Sequence, residues 1–351
     1  MVFTHSPAIE TTIDTRPRIA VGVWLLVLAA MVFVMIVIGG LTRLTGSGLS
    51  MVEWQPVTGW LPPLSDAGWQ DTFAKYQAYP EYQKVNLGMT LGEFKAIFWL
   101  EYVHRLWGRL IGVAFLGPFL VFLFKGWVER PLVPKLAAMF VLGGLQGGLG
   151  WYMVKSGLVD DPNVSPYRLT AHLGLALAIY GSMLWVAFGL LWARDPVPGS
   201  PTRARAARAL LALVFVTALS GGLVAGLDAG FAYNTFPLMD GALVPAGLVE
   251  LEPWFLNVFE NVTTVQFNHR VLAIIVVIAV LAFWWRGRRT ALGRRGWWAV
   301  NGLPIAVLVQ AALGISTLLL AVPTPLAVLH QAGAVGVFTL VLWSAWELRA
   351  R

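Results

Sequence analysis

Residues 101–109 read Glu-Tyr-Val-His-Arg-Leu-Trp-Gly-Arg and place an acid, a histidine and two arginines at the start of a long apolar stretch. A related sequence, Gln-Phe-Asn-His-Arg at residues 266–270, opens a second apolar stretch. In a helix, residues three positions apart lie on one face, so Glu101 and His104 should point at the same object. In the second copy Gln266 replaces the carboxylate, and this asymmetry is the main indication of function.

The composition indicates an integral membrane protein. Of the 351 residues, 58% are hydrophobic and only 12% are charged, and the apolar stretches are long enough to cross a bilayer as helices. The first stretch is longer than a signal-peptide core and has no small-residue cleavage site after it, so we expect it to be retained. The predicted fold is all-α, with eight transmembrane helices near residues 19–41, 98–124, 135–154, 169–193, 209–226, 268–285, 298–320 and 326–346.

The basic residues predict the orientation in the membrane. If all eight stretches span, every segment rich in Lys and Arg falls on one side, which the positive-inside rule makes cytoplasmic. On the opposite side, residues 227–267 contain five Asp or Glu and no Lys or Arg. Both termini are therefore predicted to be cytoplasmic. The net charge of +7 then reflects topology, and we expect no nucleic-acid partner.

The chain contains a duplicated four-helix unit. His172 and Trp185 are 13 residues apart, as are His330 and Trp343. The other matching segments are residues 39–41 and 221–223, 101–105 and 266–270, and 145–150 and 309–314. Because each unit has an even number of spans, both copies enter the membrane from the same side as parallel repeats. The predicted parts are a cytoplasmic tail at 1–18, an N-terminal unit at 19–193 with a long outer loop at 42–97, a cytoplasmic linker at 194–208 and a C-terminal unit at 209–348.

Metal chemistry is restricted to histidine. The chain has no cysteine, which excludes thiolate metal sites, disulfides and cysteine nucleophiles. His104 and His172 lie near the outer ends of predicted helices in the first unit, as do His269 and His330 in the second, whereas His5 lies in the polar tail. A zinc or copper site needs three or four converging donors with nearby carboxylates. A pair of imidazoles from two helices of a bundle suits a haem iron.

Three arginines lie close to the histidines. Arg105 and Arg270 come directly after His104 and His269, and Arg109 lies one turn beyond. At the outer boundary these arginines can pair with haem propionates. Alternatively, their guanidinium groups snorkel to the membrane interface. The sequence leaves both interpretations open.

Taken together, these features resemble the haem A synthases, in the branch that is similar to the mitochondrial and proteobacterial members. The resemblance covers nearly the whole chain and rests on the duplicated units, on residues 39–50, 101–105 and 268–270, and on His172 and His330. It implies oxidation of a methyl substituent of haem O to a formyl group through a hydroxylated intermediate, giving haem A for terminal oxidases. Some family members carry a cysteine pair in outer loops; this chain has none, and no role of that pair is carried over.

The resemblance also implies a role for each site residue. His269 and His330 would hold a haem b cofactor. His104 and His172 would receive haem O, with Glu101 as the catalytic carboxylate. The expected partners are haem O, membrane lipid, a haem O synthase, oxidase assembly factors and an electron-transfer partner, and homo-oligomerisation is left open. The expected location is the bacterial inner membrane, with the histidine sites near the outer face.

Two bis-imidazole pairs also describe a di-haem b electron-transfer subunit, which is the main alternative function. Glu101 separates the two functions, because electron transfer has no use for a carboxyl group beside only one haem. Oxidation of a methyl group does need proton handling or charge stabilisation. The structural alternative for Glu101 is an acid at a helix entrance that meets lipid headgroups or pairs with Arg105. A transporter would explain the parallel repeats but not four matched histidines.

Overall fold

The computed structural model describes residues 15–193, 200–289 and 292–349, whose regular structure is helical apart from one isolated β-bridge. In chain order the helices are α1 (Arg16–Leu44), α2 (Asp66–Gln77), α3 (Pro80–Lys84), α4 (Leu91–Phe124), α5 (Val133–Ser156), α6 (Pro166–Leu191), α7 (Pro201–Gly226), α8 (Asn257–Glu260), α9 (Val262–Gly287), α10 (Arg294–Leu319) and α11 (Thr324–Glu347). All except α2, α3 and α8 are long and apolar enough to cross a membrane. The predicted all-α, multi-pass fold with eight spans is confirmed. We call the side that carries residues 45–90 and 227–261 the loop side.

Some helices extend beyond the apolar stretches. α7 begins at Pro201, where proline is favoured because its missing N–H would be unsatisfied in the first helical turn anyway. Residues 201–208 of the predicted linker are therefore helical, while residues 194–199 and His5 lie outside the described residues. The predicted outer loop contains α2, α3 and the start of α4, which Thr90 and Glu93 cap through reciprocal hydrogen bonds.

The long helices pack in matching ways. α1 packs against α4, α6 and α11, and α7 packs against α9, α11 and α6. α5 contacts α4 and α6, just as α10 contacts α9 and α11. The buried apolar core between these helices includes Leu25, Leu28, Leu177, Leu303 and Val341. The division of the chain into two repeated units stays a prediction. Two repeated units would be expected to pack in this matching way.

Glycines allow close contacts between the two sets of helices. The amide nitrogen of Gln331 on α11 donates to the Ile36 carbonyl of α1 at 2.9 Å. A Cβ atom on Gly40 would lie 1.9 Å from Oε1 of the same Gln331, so no larger residue fits at this crossing without a shift. At the matching crossing, Gly222 of α7 lies against Thr170 of α6.

Aromatic side chains hold α2 and α3 on the projecting end of α4. Tyr76 of α2 packs on Phe94 of α4 with ring centroids 5.1 Å apart, and Tyr82 of α3 packs on Tyr76 at 5.9 Å. Tyr76 and Phe94 are buried, as are Phe98 and Tyr102 further along α4. The first turns of α4 are therefore covered by the loop side of the protein itself.

Glu81 of α3 is a buried acid beside these rings. Glu81 is 6% exposed, and within the described residues its Oε2 atom has no hydrogen-bond partner. Burial raises the pKa of the Glu81 carboxyl from 4.5 to about 7, while the adjacent Tyr76 hydroxyl lowers this pKa and repulsion from Glu101 raises it. Glu81 is therefore largely protonated in the folded protein at mildly acidic pH.

We expect the stability of the protein to fall as the pH rises from about 4.5 to about 7 and then to level off, because in this range Glu81 is ionised in the unfolded chain but still protonated in the fold. A carboxyl pKa that is raised on folding contributes stability below its unfolded value, and that contribution is lost as the pH passes the folded value. The difference between 4.5 and about 7 corresponds to roughly 3 kcal/mol at high pH. Glu81→Gln should remove this pH dependence.

Thermal unfolding at pH 6 and pH 8 measures the effect. At pH 8 the Glu81→Gln protein should unfold at a higher temperature than the wild type. The control is Asp71→Asn, which removes an exposed carboxylate of α2 that pairs with Lys75. Parallel pH dependence in the wild type and Glu81→Gln would show that Glu81 does not titrate in this range.

Candidate functional site

The four histidines lie on four different long helices. His172 on α6, His269 on α9 and His330 on α11 come six or seven residues after the start of their helix, roughly 10 Å along its axis. His104 lies further along α4, because α4 projects beyond the others on the loop side. All four side chains are half-buried.

The histidines form two pairs. His104 lies within interaction range of His172, and His269 lies within interaction range of His330. In the part of the chain that the structure describes, no group of three or more His, Cys, Asp or Glu side chains could hold a metal ion. A facing pair of imidazoles suits haem iron, because the porphyrin supplies the other four ligands.

Each histidine ring lies against a glycine of a neighbouring helix. A Cβ atom built on these glycines would lie 2.7–3.2 Å from the nearest ring atom. The pairs are Gly39 with His104, Gly150 with His172, Gly221 with His269 and Gly314 with His330. The four glycines make room for the imidazoles, and a larger residue at any of these positions would displace a ring.

A glutamine holds one histidine of each pair. Gln146 Nε2 lies 3.1 Å from Nδ1 of His172 and donates to the His172 carbonyl at 2.9 Å. Gln310 makes the same contacts with His330, at 3.0 and 2.9 Å. Both amide oxygens are buried and, among the described residues, have no hydrogen-bond partner. Rotation of the amide would offer this oxygen to an Nδ1 proton, the arrangement that an iron-bound imidazole requires.

The other two histidines differ from each other. Ser220 Oγ lies 2.8 Å from Nδ1 of His269. Ile38 occupies the matching position in the first unit, and no described side chain forms a hydrogen bond with His104. The two rings are also turned differently, since the nearest ring atom to the adjacent glycine is Nε2 in His104 and Cε1 in His269.

Glu101 lies at the centre of a hydrogen-bond network one turn before His104. It is 2% exposed, and its Oε2 atom accepts hydrogen bonds from Ser50 Oγ and from the Met51 N–H, both at 2.7 Å. Its Oε1 atom forms an ion pair with Arg105 and accepts a hydrogen bond from Nε at 2.9 Å. The acid thus pairs with Arg105 and is enclosed by the segment that follows α1.

Gln266 occupies the same place in the second unit. It is also 2% exposed, and its Oε1 atom accepts a hydrogen bond from Arg270 at 3.0 Å. Its Nε2 atom donates to the Ala229 carbonyl at 2.7 Å. In each unit an arginine therefore donates to a buried side-chain oxygen. The acceptor is the carboxylate of Glu101 in the first unit and the uncharged amide of Gln266 in the second.

The three arginines that were predicted to bind propionates hold the loop backbone. Their hydrogen bonds, at 2.6–3.2 Å, run from Arg105 to the carbonyls of Met51 and Glu53, from Arg109 to those of Gln55 and Pro56, and from Arg270 to those of Tyr233 and Thr235. Nη1 of Arg109 and Nε of Arg270 are buried without a partner among the described residues. These two donors are suited to an anionic group, and the contact with propionates stays a prediction.

Sequence reasoning missed the residues that orient the rings. Gln146 and Gln310 are visible as matching residues of the two units, but their contact with histidines is not. Ser220 could have been found as a hydroxyl residue beside two glycines in an apolar helix. The matching residue of the first unit is Ile38, which has no hydroxyl group.

The chain is similar to known proteins along nearly its whole length. Residues 22–342 match the model of the COX15-CtaA family, described as cytochrome oxidase assembly protein. The chain belongs to the COX15-CtaA family. Similar proteins include the Heme A synthase of Nitrosospira multiformis, which is 57% identical over 94% of this chain and 93% of the relative, and that of Nitrosomonas eutropha, which is 51% identical over 95% of both chains. Heme A synthase COX15 of Bos taurus is 47% identical over 94% of this chain and 82% of the relative.

The COX15-CtaA match extends from α1 into α11 and therefore includes both histidine pairs. Glu101 and Gln266 also lie within it. The resemblance to the haem A synthases is confirmed.

Proposed function

We propose that this chain is a haem A synthase, which oxidises a methyl substituent of haem O to a formyl group through a hydroxylated intermediate. The observation that carries the proposal is that only one of two matched histidine pairs has a buried carboxylate, Glu101, one turn before its histidine, in a COX15-CtaA member whose relatives are named heme A synthases. The product, haem A, is destined for terminal oxidases.

In this proposal the C-terminal pair, His269 and His330, holds haem b. Support comes from Ser220, which contacts Nδ1 of His269 and has no counterpart in the first unit, whereas a glutamine holds one histidine of each pair alike. A bound haem b supplies one-electron redox chemistry. Arg270, with its unpartnered Nε, is the propionate partner of this site.

The N-terminal pair, His104 and His172, receives haem O. Glu101 lies one turn back along α4 on the same face as His104, so it would lie beside a haem O held by His104. The carboxylate stabilises positive charge or takes a proton as the methyl carbon loses hydrogen. Arg105 holds Glu101 in place, and Arg109 offers its buried Nη1 to a propionate.

The loop charges support a location in the bacterial inner membrane with both termini in the cytoplasm and the histidine sites near the outer face. Haem O would reach the protein from a haem O synthase in the same membrane. Haem A would pass to oxidase assembly factors, and an electron-transfer partner would exchange electrons with haem b.

Co-expression with a haem O synthase, in a host that makes no haem A, tests this function. Membranes that contain the chain should yield haem A on extraction and chromatography, whereas membranes without it should yield only haem b and haem O. If the chain binds haem b but leaves haem O unchanged, the di-haem electron-transfer function replaces this proposal.

A further inference from the structure

One hydrogen bond beside the ligand ring distinguishes the second histidine pair from the first. On α7, Ser220 Oγ donates to the Thr217 carbonyl at 2.8 Å and lies 2.8 Å from Nδ1 of His269. A hydroxyl group has a single hydrogen, and when that hydrogen is donated to the Thr217 carbonyl, the Ser220 oxygen can accept the Nδ1 proton of His269. This arrangement stabilises the tautomer of His269 whose Nε2 is free to bind iron.

The first pair lacks this bond. Gly39 matches Gly221 in the repeat, so Ile38 matches Ser220, and a sec-butyl side chain neither donates nor accepts a hydrogen bond. A Cβ atom on Gly39 would lie 3.1 Å from Nε2 of His104. Among the described residues, no side chain therefore forms a hydrogen bond that selects the tautomer of His104.

We infer that Ser220 is the positioning residue that keeps the C-terminal haem resident, and that Ile38 leaves the N-terminal site able to exchange its haem. The inference rests on the proposed function, which assigns a cofactor to one pair and a substrate to the other. Hydrogen-bond partners of metal-binding histidines change metal affinity by about 10–100-fold. A cofactor gains from that affinity, whereas a substrate has to enter and leave in every cycle.

Haem release tests the role of Ser220. The full-length chain is purified in lipid nanodiscs with haem b bound, and transfer of haem b to excess apomyoglobin is followed by absorbance. Ser220→Ala should release haem b about 10-fold faster than the wild type, or more. Ser220→Thr keeps the hydroxyl and should release it at close to the wild-type rate. The matched control is Ser182→Ala, which removes a serine of α6 that donates to the Ala178 carbonyl of its own helix at 2.7 Å.

The reciprocal change tests Ile38. Ile38→Ser should give His104 the missing acceptor and slow the release of haem O by about 10-fold. An unchanged rate of haem b release from Ser220→Ala would overturn the inference. If that variant does not fold, an unchanged rate of haem O release from Ile38→Ser overturns it instead. These rates are independent of turnover, and the proposed function itself fails only if the wild type makes no haem A.

Discussion

Glutamine in place of Glu101 should reduce haem A formation by about 100-fold or more, while the haem b content stays near that of the wild type. The substitution keeps the size of the side chain but removes the charge beside His104, in the pair that we propose receives the substrate. The loss of activity should therefore follow from chemistry at the N-terminal site. In the proposed function haem b is held by His269 of α9 and His330 of α11. The hydrogen bonds of Glu101 run instead to Ser50, Met51 and Arg105.

The second unit shows that the fold tolerates glutamine at this position. Gln266 accepts a hydrogen bond from Arg270 at 3.0 Å while it is buried in the equivalent environment. In Glu101→Gln the amide oxygen can accept from Arg105 in the same way. The Met51 N–H then loses its acceptor, at a cost of about 1–3 kcal/mol. A cost of this size should not unfold the protein.

Haem A and haem b are measured together in membranes that contain each variant and a haem O source. Glu129→Gln is the control, because it removes an exposed carboxylate that pairs with Arg18. Wild-type turnover in Glu101→Gln would exclude a catalytic role for the acid. Equal losses of haem b and haem A would instead assign Glu101 to the structure of the loop side.

Alanine in place of His104 or His172 should also reduce haem A formation by about 100-fold or more, because the reactive methyl would no longer be held at a defined position. Both side chains are half-buried between helices, so their removal leaves the apolar core intact. Haem O should accumulate in the membranes as haem A disappears. A variant that retains more than a tenth of wild-type turnover would show that its histidine does not orient the substrate.

Much of the fold could be predicted from the sequence because a bilayer permits few solutions. Backbone groups within the membrane must form hydrogen bonds inside each segment, so eight long apolar stretches predict eight helices. Their ends were less predictable. α7 extends to Pro201, beyond the apolar stretch, because the first turns of a helix can lie outside the membrane and carry Arg203, Arg205 and Arg208.

The residues of the candidate site could be predicted from the sequence, but the groups that they contact could not. Repetition identified His104, His172, His269 and His330, because four matched polar residues stand out in apolar helices. The partners of Glu101 include the Met51 N–H, and those of the arginines are mainly loop carbonyls. Every residue has a backbone carbonyl, and every residue except proline has a backbone N–H. No sequence pattern therefore marks the backbone groups that form hydrogen bonds with the site residues.

The haem b content of purified His330→Ala, compared with that of purified His104→Ala, tests the central claim most directly. That claim is a division of labour, with a resident cofactor in the second unit and an exchangeable substrate in the first. The measurement is haem b per chain, by extraction and chromatography of each protein. We predict that His330→Ala loses nearly all of its haem b and that His104→Ala keeps close to the wild-type amount. A full haem b content in His330→Ala, with loss of haem b from His104→Ala, would contradict the account.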